Sequence, residues 1–185
     1  MEGKALCFTG HRPDKLGGYA GPNAEHFRIR LLKHLTKVIE RAAAVGYKVF
    51  ISGGALGVDQ IAADAVINCR VNNPAFKHIK LVIARPFPSQ DSKWPLYARE
   101  KFQAMLHIAD QVVDVSPDPY APWKMQLRNE WMVNRSEAVI AVWNGEEKGG
   151  TWNCIQYAIK RQRDILFIHP ATLIEKWALR GNLAL

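Results

Sequence analysis

Two glycine-rich turns, far apart in this chain, each follow an apolar run and open into a helical pattern. One is Ser52-Gly53-Gly54-Ala55-Leu56-Gly57-Val58-Asp59. The other is Gly145-Glu146-Glu147-Lys148-Gly149-Gly150-Thr151-Trp152-Asn153. A third turn, Thr9-Gly10-His11-Arg12-Pro13, also follows a short apolar run. Apolar runs at residues 5–9, 47–52, 80–84, 111–115, 138–143 and 165–169 predict strands. Helical patterns fill residues 25–45, 57–71, 97–109, 125–135 and 151–161 between them. The first helix carries Phe27, Leu31, Leu35, Val38, Ile39 and Ala42 at the spacing of one helical face, and Gly46 ends it. Pro170 leads into a short final helix around residues 174–179, and residues 181–185 read as a loosely held tail.

Strands that are apolar on both faces and alternate with helices mean a parallel sheet covered on two sides. The expected fold is therefore α/β: a three-layer Rossmann-like fold, a mostly parallel sheet with helices on both faces. With 185 residues and 48% hydrophobic content, the chain can build one core, so residues 1–185 are read as a single domain. Ligands in such folds bind at the carboxyl ends of the strands. All three glycine turns lie at that edge.

No apolar stretch approaches the length of a membrane span. Met1-Glu2-Gly3-Lys4 runs straight into a strand without the apolar core of a signal peptide. Cys7, Cys69 and Cys154 show no paired spacing, which fits a reducing, cytoplasmic setting and argues against a disulfide framework or a structural zinc. The six histidines show no metal-ligand spacing, and HExxH, CxxC and GxSxG patterns are missing from the sequence, so no metal site is expected. The formal net charge of +8 admits nucleic acid and small anionic ligands alike. The basic residues are spread along the chain rather than clustered.

Each turn has a chemical reading and a structural one. Glycine lets the backbone approach an anion, and a following helix offers free N–H groups at the positive end of its dipole. Ser52-Gly53-Gly54-x-x-Gly57 lacks the order of a dinucleotide fingerprint and the lysine of a Walker loop. A tight strand-to-helix turn explains its glycines equally. Asp59 caps the next helix or holds a ribose hydroxyl. In the later turn Thr151 is a natural N-cap, whereas Gly149 and Gly150 suggest a close approach to phosphate. Arg12 suits bidentate contact with a phosphate. His11 has no carboxylate neighbour in sequence and reads as a hydrogen-bonding residue. Trp143 and Trp152 bracket the last turn, and each suits the core or a base.

Together the runs Thr9-Gly10-His11-Arg12-Pro13, Ile51 to Asp59, Arg128-Asn129-x-x-Met132-x-x-x-Ser136 and Gly149-Gly150-Thr151-x-Asn153 resemble the YpsA-type branch of the SLOG superfamily. That superfamily also includes LOG-type phosphoribohydrolases and the DNA-processing protein DprA. The resemblance covers almost the whole chain and implies a Rossmann-like fold with a pocket for nucleoside monophosphates or ADP-ribose-like ligands. In the LOG-type enzymes an Arg before the fifth strand and a Glu after the glycines act on the N-glycosidic bond. Arg128 matches the Arg, but Cys154 stands at the Glu position and Lys148 replaces the Pro before the glycines.

The reading that follows is a binding protein for a small anionic nucleotide or nucleotide derivative, with no further cofactor. Thr9, Gly10, His11, Arg12, Ser52, Gly53, Gly54, Gly57, Asp59, Arg128, Trp143, Gly149, Gly150, Thr151 and Asn153 are its candidate ligand residues. One alternative is a nucleotide N-glycosidase, in which Arg128 and a carboxylate such as Glu130 replace the lost Glu. A second is DprA-like binding of single-stranded nucleic acid. Related folds pair as dimers, which leaves a homo-oligomer open.

Overall fold

The computed structural model of the chain describes residues 3–179. In chain order its elements are β1 (Lys4–Gly10), α1 (Pro22–Ala44), β2 (Tyr47–Ser52), α2 (Val58–Asn72), β3 (Lys80–Arg85) and α3 (Leu96–Ile108). Then follow β4 (Gln111–Asp114), α4 (Pro122–Asn134), β5 (Ala138–Val142), α5 (Gly149–Lys160), β6 (Asp164–Ile168) and β7 (Glu175–Ala178). Single 3-10 turns occupy Pro13–Lys15 and Pro74–Phe76.

The strands form one sheet in the order β4-β3-β2-β1-β5-β6-β7. All neighbours pair in parallel except β6 and β7. Side chains alternate across each strand, so both faces must be covered. Leu6, Phe8, Phe50 and Ile83 pack on one face with Leu35 of α1, Val66 of α2 and Phe102 of α3. Cys7, Val49, Ile51 and Val139 pack on the other with Met132 of α4 and Ile155 of α5. Each fully buried Leu, Ile or Phe of these layers contributes about 1.5–3 kcal/mol. The expected three-layer Rossmann-like arrangement is what forms.

Several boundaries differ from the sequence expectation, among them the start of α4, at Pro122 rather than at residue 125. Residues 174–179 do not form a short helix, because Glu175–Ala178 return as antiparallel β7 on the edge of β6. A tight turn makes the return: Leu173 takes a φ of 59° and donates its N–H to the His169 carbonyl. Sheet pairing thus overrides a helical pattern that is too short to stand alone. Helix α1 starts at Pro22, whose fixed φ suits the first helical position. Helix α5 starts at Gly149, so Thr151 lies inside it and Lys148 is the N-cap. The expected loose tail at residues 181–185 lies outside the described residues.

Strand β1 sits between β2 and β5, and the crossovers leave it on opposite faces. This is the switch point at which open α/β sheets leave a crevice. Register puts Gly10 beside Val142 and Cys7 beside Ile51. The turns after β1, β2 and β5 therefore meet at one edge.

Candidate functional site

A cleft of about 380 Å³ opens where these turns meet. Thr9, Gly10, His11 and Arg12 supply the wall after β1, and Asp59 rises from the first turn of α2. Arg128 and Asn129 enter from α4, and Gly149, Gly150 and Thr151 form the opposite wall. Four cations line the cleft (Arg12, Lys15, Arg128 and Lys148) against two carboxylates, Asp14 and Asp59.

Arg128 is the deepest of the cations. It is buried, and its Nη1 donates to Oδ2 of Asp59 at 3.0 Å. Its Nε is buried with no hydrogen-bond partner. A guanidinium normally fills more of its five donors when buried, so this one retains capacity for an acceptor. Gly53 makes room for it, since a methyl there would fall 1.2 Å from Nη1.

The turn after β2 is satisfied from within. Ser52 Oγ donates to the Asp59 carbonyl at 2.7 Å and accepts from the Gly54 N–H at 3.1 Å. Gln60 Nε2 donates to the Gly54 carbonyl at 3.2 Å. The Val58 N–H, at the start of α2, is taken by the His11 carbonyl. Gly54 and Gly57 have positive φ, and a methyl would strike Phe102 at the first and the His11 carbonyl at the second. Ser52, Gly53, Gly54 and Gly57 thus form the packed support beneath the cleft, and they are not among its lining.

The turn after β5 is different. Lys148 gives α5 no side-chain cap, and a methyl added to Gly149 or Gly150 would have no atom within 4 Å of it. Gly149 needs glycine for its φ of 79°. Gly150 has neither a positive φ nor a crowding neighbour. The loop is tied by Glu146, which pairs with Lys148 at 2.6 Å and with Lys15 across the cleft mouth. Those two lysines hold the Glu146 carboxyl down to about 2, Lys148 the more strongly.

Burial pushes the His11 imidazole below its ordinary value, so the ring is neutral at pH 7. Its Nε2 lies 2.8 Å from Oδ1 of Asn144 and 3.2 Å from the Asn144 N–H. Protonated, it donates to the first; deprotonated, it accepts from the second. Either way His11 fastens the turn after β1 to the turn after β5, as expected of a hydrogen-bonding residue.

Three candidates stand away from the cleft. Trp143 stacks on Trp152, with ring centres 5.2 Å apart and planes 12° from parallel, and donates Nε1 to the Glu146 carbonyl. Its indole supports the loop rather than facing the cleft. Asn153 is exposed on the outer side of α5, beside Gln126 and Lys160. Glu130 accepts from Gln126 on the same helix, and its carboxylate is not among the cleft lining. Cys154 is fully buried beneath Thr9, and burial raises its thiol to about 11. Cys154 is thus a neutral core thiol.

Lys15 and Met125 are lining residues that sequence reasoning does not single out. Lys15 lies in polar turn sequence, and only the 3-10 fold of Pro13–Lys15 swings it to the cleft. Lys148 is visible in sequence beside the glycines. Among the described residues no three His, Cys, Asp or Glu side chains gather as a metal site, and no helix is long and apolar enough to cross a membrane.

The chain is similar to proteins of bacilli and their prophages. It is 39% identical over 144 residues to the SPbeta prophage-derived protein YoqJ of Bacillus subtilis, spanning 71% of this chain and 82% of that one. It is 28% identical to the UPF0398 protein BH1768 of Halalkalibacterium halodurans, over 92% of this chain and 90% of that one. Its fold is similar to a structure of DNA processing protein A from Helicobacter pylori, described by its single-stranded DNA binding mode, with a TM-score of 0.58 and 19% identity. That match covers 96% of this chain and 69% of the other. The DprA structure from Streptococcus pneumoniae gives the same TM-score at 15% identity, over 92% and 52%. The family model described as the YspA SLOG family matches residues 6–173, and the chain belongs to that YpsA-type SLOG family.

Proposed function

We propose that the protein binds a nucleotide or nucleotide derivative through its phosphate, as a sensor or carrier rather than a hydrolase. The observation that carries this reading is the uncapped N-terminus of α5. Gly150 stands there with no packing reason to be glycine, facing a cleft that holds Arg128 with a buried, unpartnered Nε. Backbone N–H groups of Gly149, Gly150 and Thr151 would cradle the phosphate. Arg128, Lys15 and Lys148 would balance its charge.

Cys154 argues against N-glycosidase chemistry. A buried thiol with a raised pKa neither stabilises an oxocarbenium ion nor activates water. A second reading, single-stranded DNA binding, draws support from the charge of +8 and from the H. pylori likeness. Base-stacking aromatics along the strand are its usual requirement, and among the described residues no Phe, Tyr or Trp lines the cleft.

A thermal-shift series against pyrophosphate, AMP, ADP-ribose and a short oligothymidine tests the reading. A ligand at a hundred times its Kd adds about 2.7 kcal/mol, or roughly 5–10 °C for a chain this size. A shift with a nucleotide, lost in Arg128→Gln, is expected. Salt-sensitive stabilisation by the oligonucleotide alone would replace this reading with the second.

A further inference from the structure

A second cavity, of about 560 Å³, lies beside the cleft, and Leu56 lines both. Its size is within the roughly 300–1,000 Å³ of small-molecule sites. Its floor is apolar, with Phe27 from α1 and Ile61 from α2. Tyr19 and Tyr97 stand at its walls, 58% and 61% exposed. Tyr97 is held on the first turn of α3, and Tyr19 on the loop Gly17-Gly18-Tyr19-Ala20-Gly21. All three glycines of that loop have φ between 87° and 102°, a conformation that other residues rarely adopt. The loop therefore has a specific path, which carries an aromatic ring to the cavity.

Charge separates the two cavities. The rim of the second carries Arg28 and Lys101, and each is already paired: Arg28 with Glu25 at 2.8 Å, Lys101 with Asp64 at 2.8 Å. In the first cleft Lys15 and Lys148 share one carboxylate, Glu146, whereas the second offers apolar floor, aromatic walls and a carboxylate for each rim cation. Its complement is a neutral, flat, heteroaromatic group. We infer that the Tyr19–Tyr97 cavity is the nucleobase subsite of the ligand whose phosphate enters the cleft, with the ligand crossing at Leu56. This inference rests on the phosphate reading above, and it relocates the base from the Trp143–Trp152 stack, whose rings are spent on each other.

Calorimetric titration of the full chain with pyrophosphate, adenosine, ADP, GDP and UDP tests it, with Tyr19→Ala, Tyr97→Ala and Tyr97→Phe variants. Both tyrosines are exposed, and an unchanged Tm verifies that the variants fold. At least one nucleoside diphosphate is expected to bind about tenfold or more tighter than pyrophosphate. Either alanine variant should remove most of that margin, since stacking on one aromatic is worth about five- to a hundredfold. Pyrophosphate affinity should not move, and Tyr97→Phe should keep the margin. Nucleoside diphosphates that bind equally well to the alanine variants would overturn the subsite and leave the phosphate reading intact. Failure of pyrophosphate with tyrosine-dependent binding of adenosine would overturn the phosphate reading and leave the subsite. If no compound binds, both fall.

Discussion

The turns after β2 and β5 look alike in sequence, yet they have glycine for opposite reasons. In the first, Gly53, Gly54 and Gly57 are dictated from within: an arginine, a phenylalanine ring and a backbone carbonyl stand where a methyl would go. Its polar groups are spent on Ser52, Asp59, Gln60 and His11. In the second, a methyl on Gly149 or Gly150 would meet nothing. The helix end there is uncapped, and the loop is held by surface charges. A glycine needed for packing or for a positive φ, as Gly149 is at 79°, points to architecture, and one needed for neither, Gly150, points to something outside the chain. The first turn builds the floor that positions Arg128, and the second is the one offered to a ligand.

Gly53→Ala should produce the largest effect, and on stability. The added methyl, 1.2 Å from Nη1 of Arg128 and 2.5 Å from Oδ2 of Asp59, must break or displace that pair. Breaking a buried pair costs about 3–5 kcal/mol, so Tm should fall by roughly 6–20 °C. A Tm within two degrees of wild type, by calorimetry, would mean the floor is pliable and the contrast between the turns is false.

Gly150→Ala should do the reverse. It puts a better helix former in the first turn of α5, so Tm should hold or rise by a degree or two. The methyl would stand in the way of a phosphate approaching the backbone. Pyrophosphate affinity should therefore fall about tenfold, or ~1.4 kcal/mol, by titration. A large fall in Tm would make this glycine structural too. Unchanged affinity would remove the backbone cradle from the proposed function.

The strands are legible in the sequence because runs such as Ala138–Val142 are buried on both faces and must be apolar throughout. The meeting of the turns is legible for the same reason: parallel strands with crossover helices bring alternate ends to one edge. The difference between the two glycine turns is not. Both contain paired glycines ahead of a helix, and only the neighbours in space, Arg128 and Phe102, tell them apart. Trp143 looks free to stack on a base in sequence, because its partner Trp152 is nine residues away along the chain but adjacent in space. Lys15 is not legible, since its place depends on how one 3-10 turn folds back. Glu175 reads as helical because nothing local marks pairing with a strand edge.

The smallest effect sharpens the comparison through Glu146. Its carboxyl is held down to about 2 from an ordinary 4.5 by Lys148 and Lys15. A lowered carboxylate stabilises the fold above its unfolded value and loses that contribution as pH falls through its folded one. The tie across the cleft mouth should therefore be complete above pH 4.5 and fade toward pH 2. A carbon-13 titration of the Glu146 carboxyl should show a midpoint below the ordinary 4.5 but short of the full drop, because solvent screens both lysine pairs. In 1 M salt, where screening acts within about 3 Å, the midpoint should climb back toward the ordinary value. Glu146→Gln should then leave Tm almost unmoved, because the ion pairs it removes are exposed to solvent. A midpoint near 4.5 that ignores salt would mean that the loop is untied in solution. A strong fall in Tm would mean that the second turn is held as firmly as the first, and its open glycines would then need another explanation.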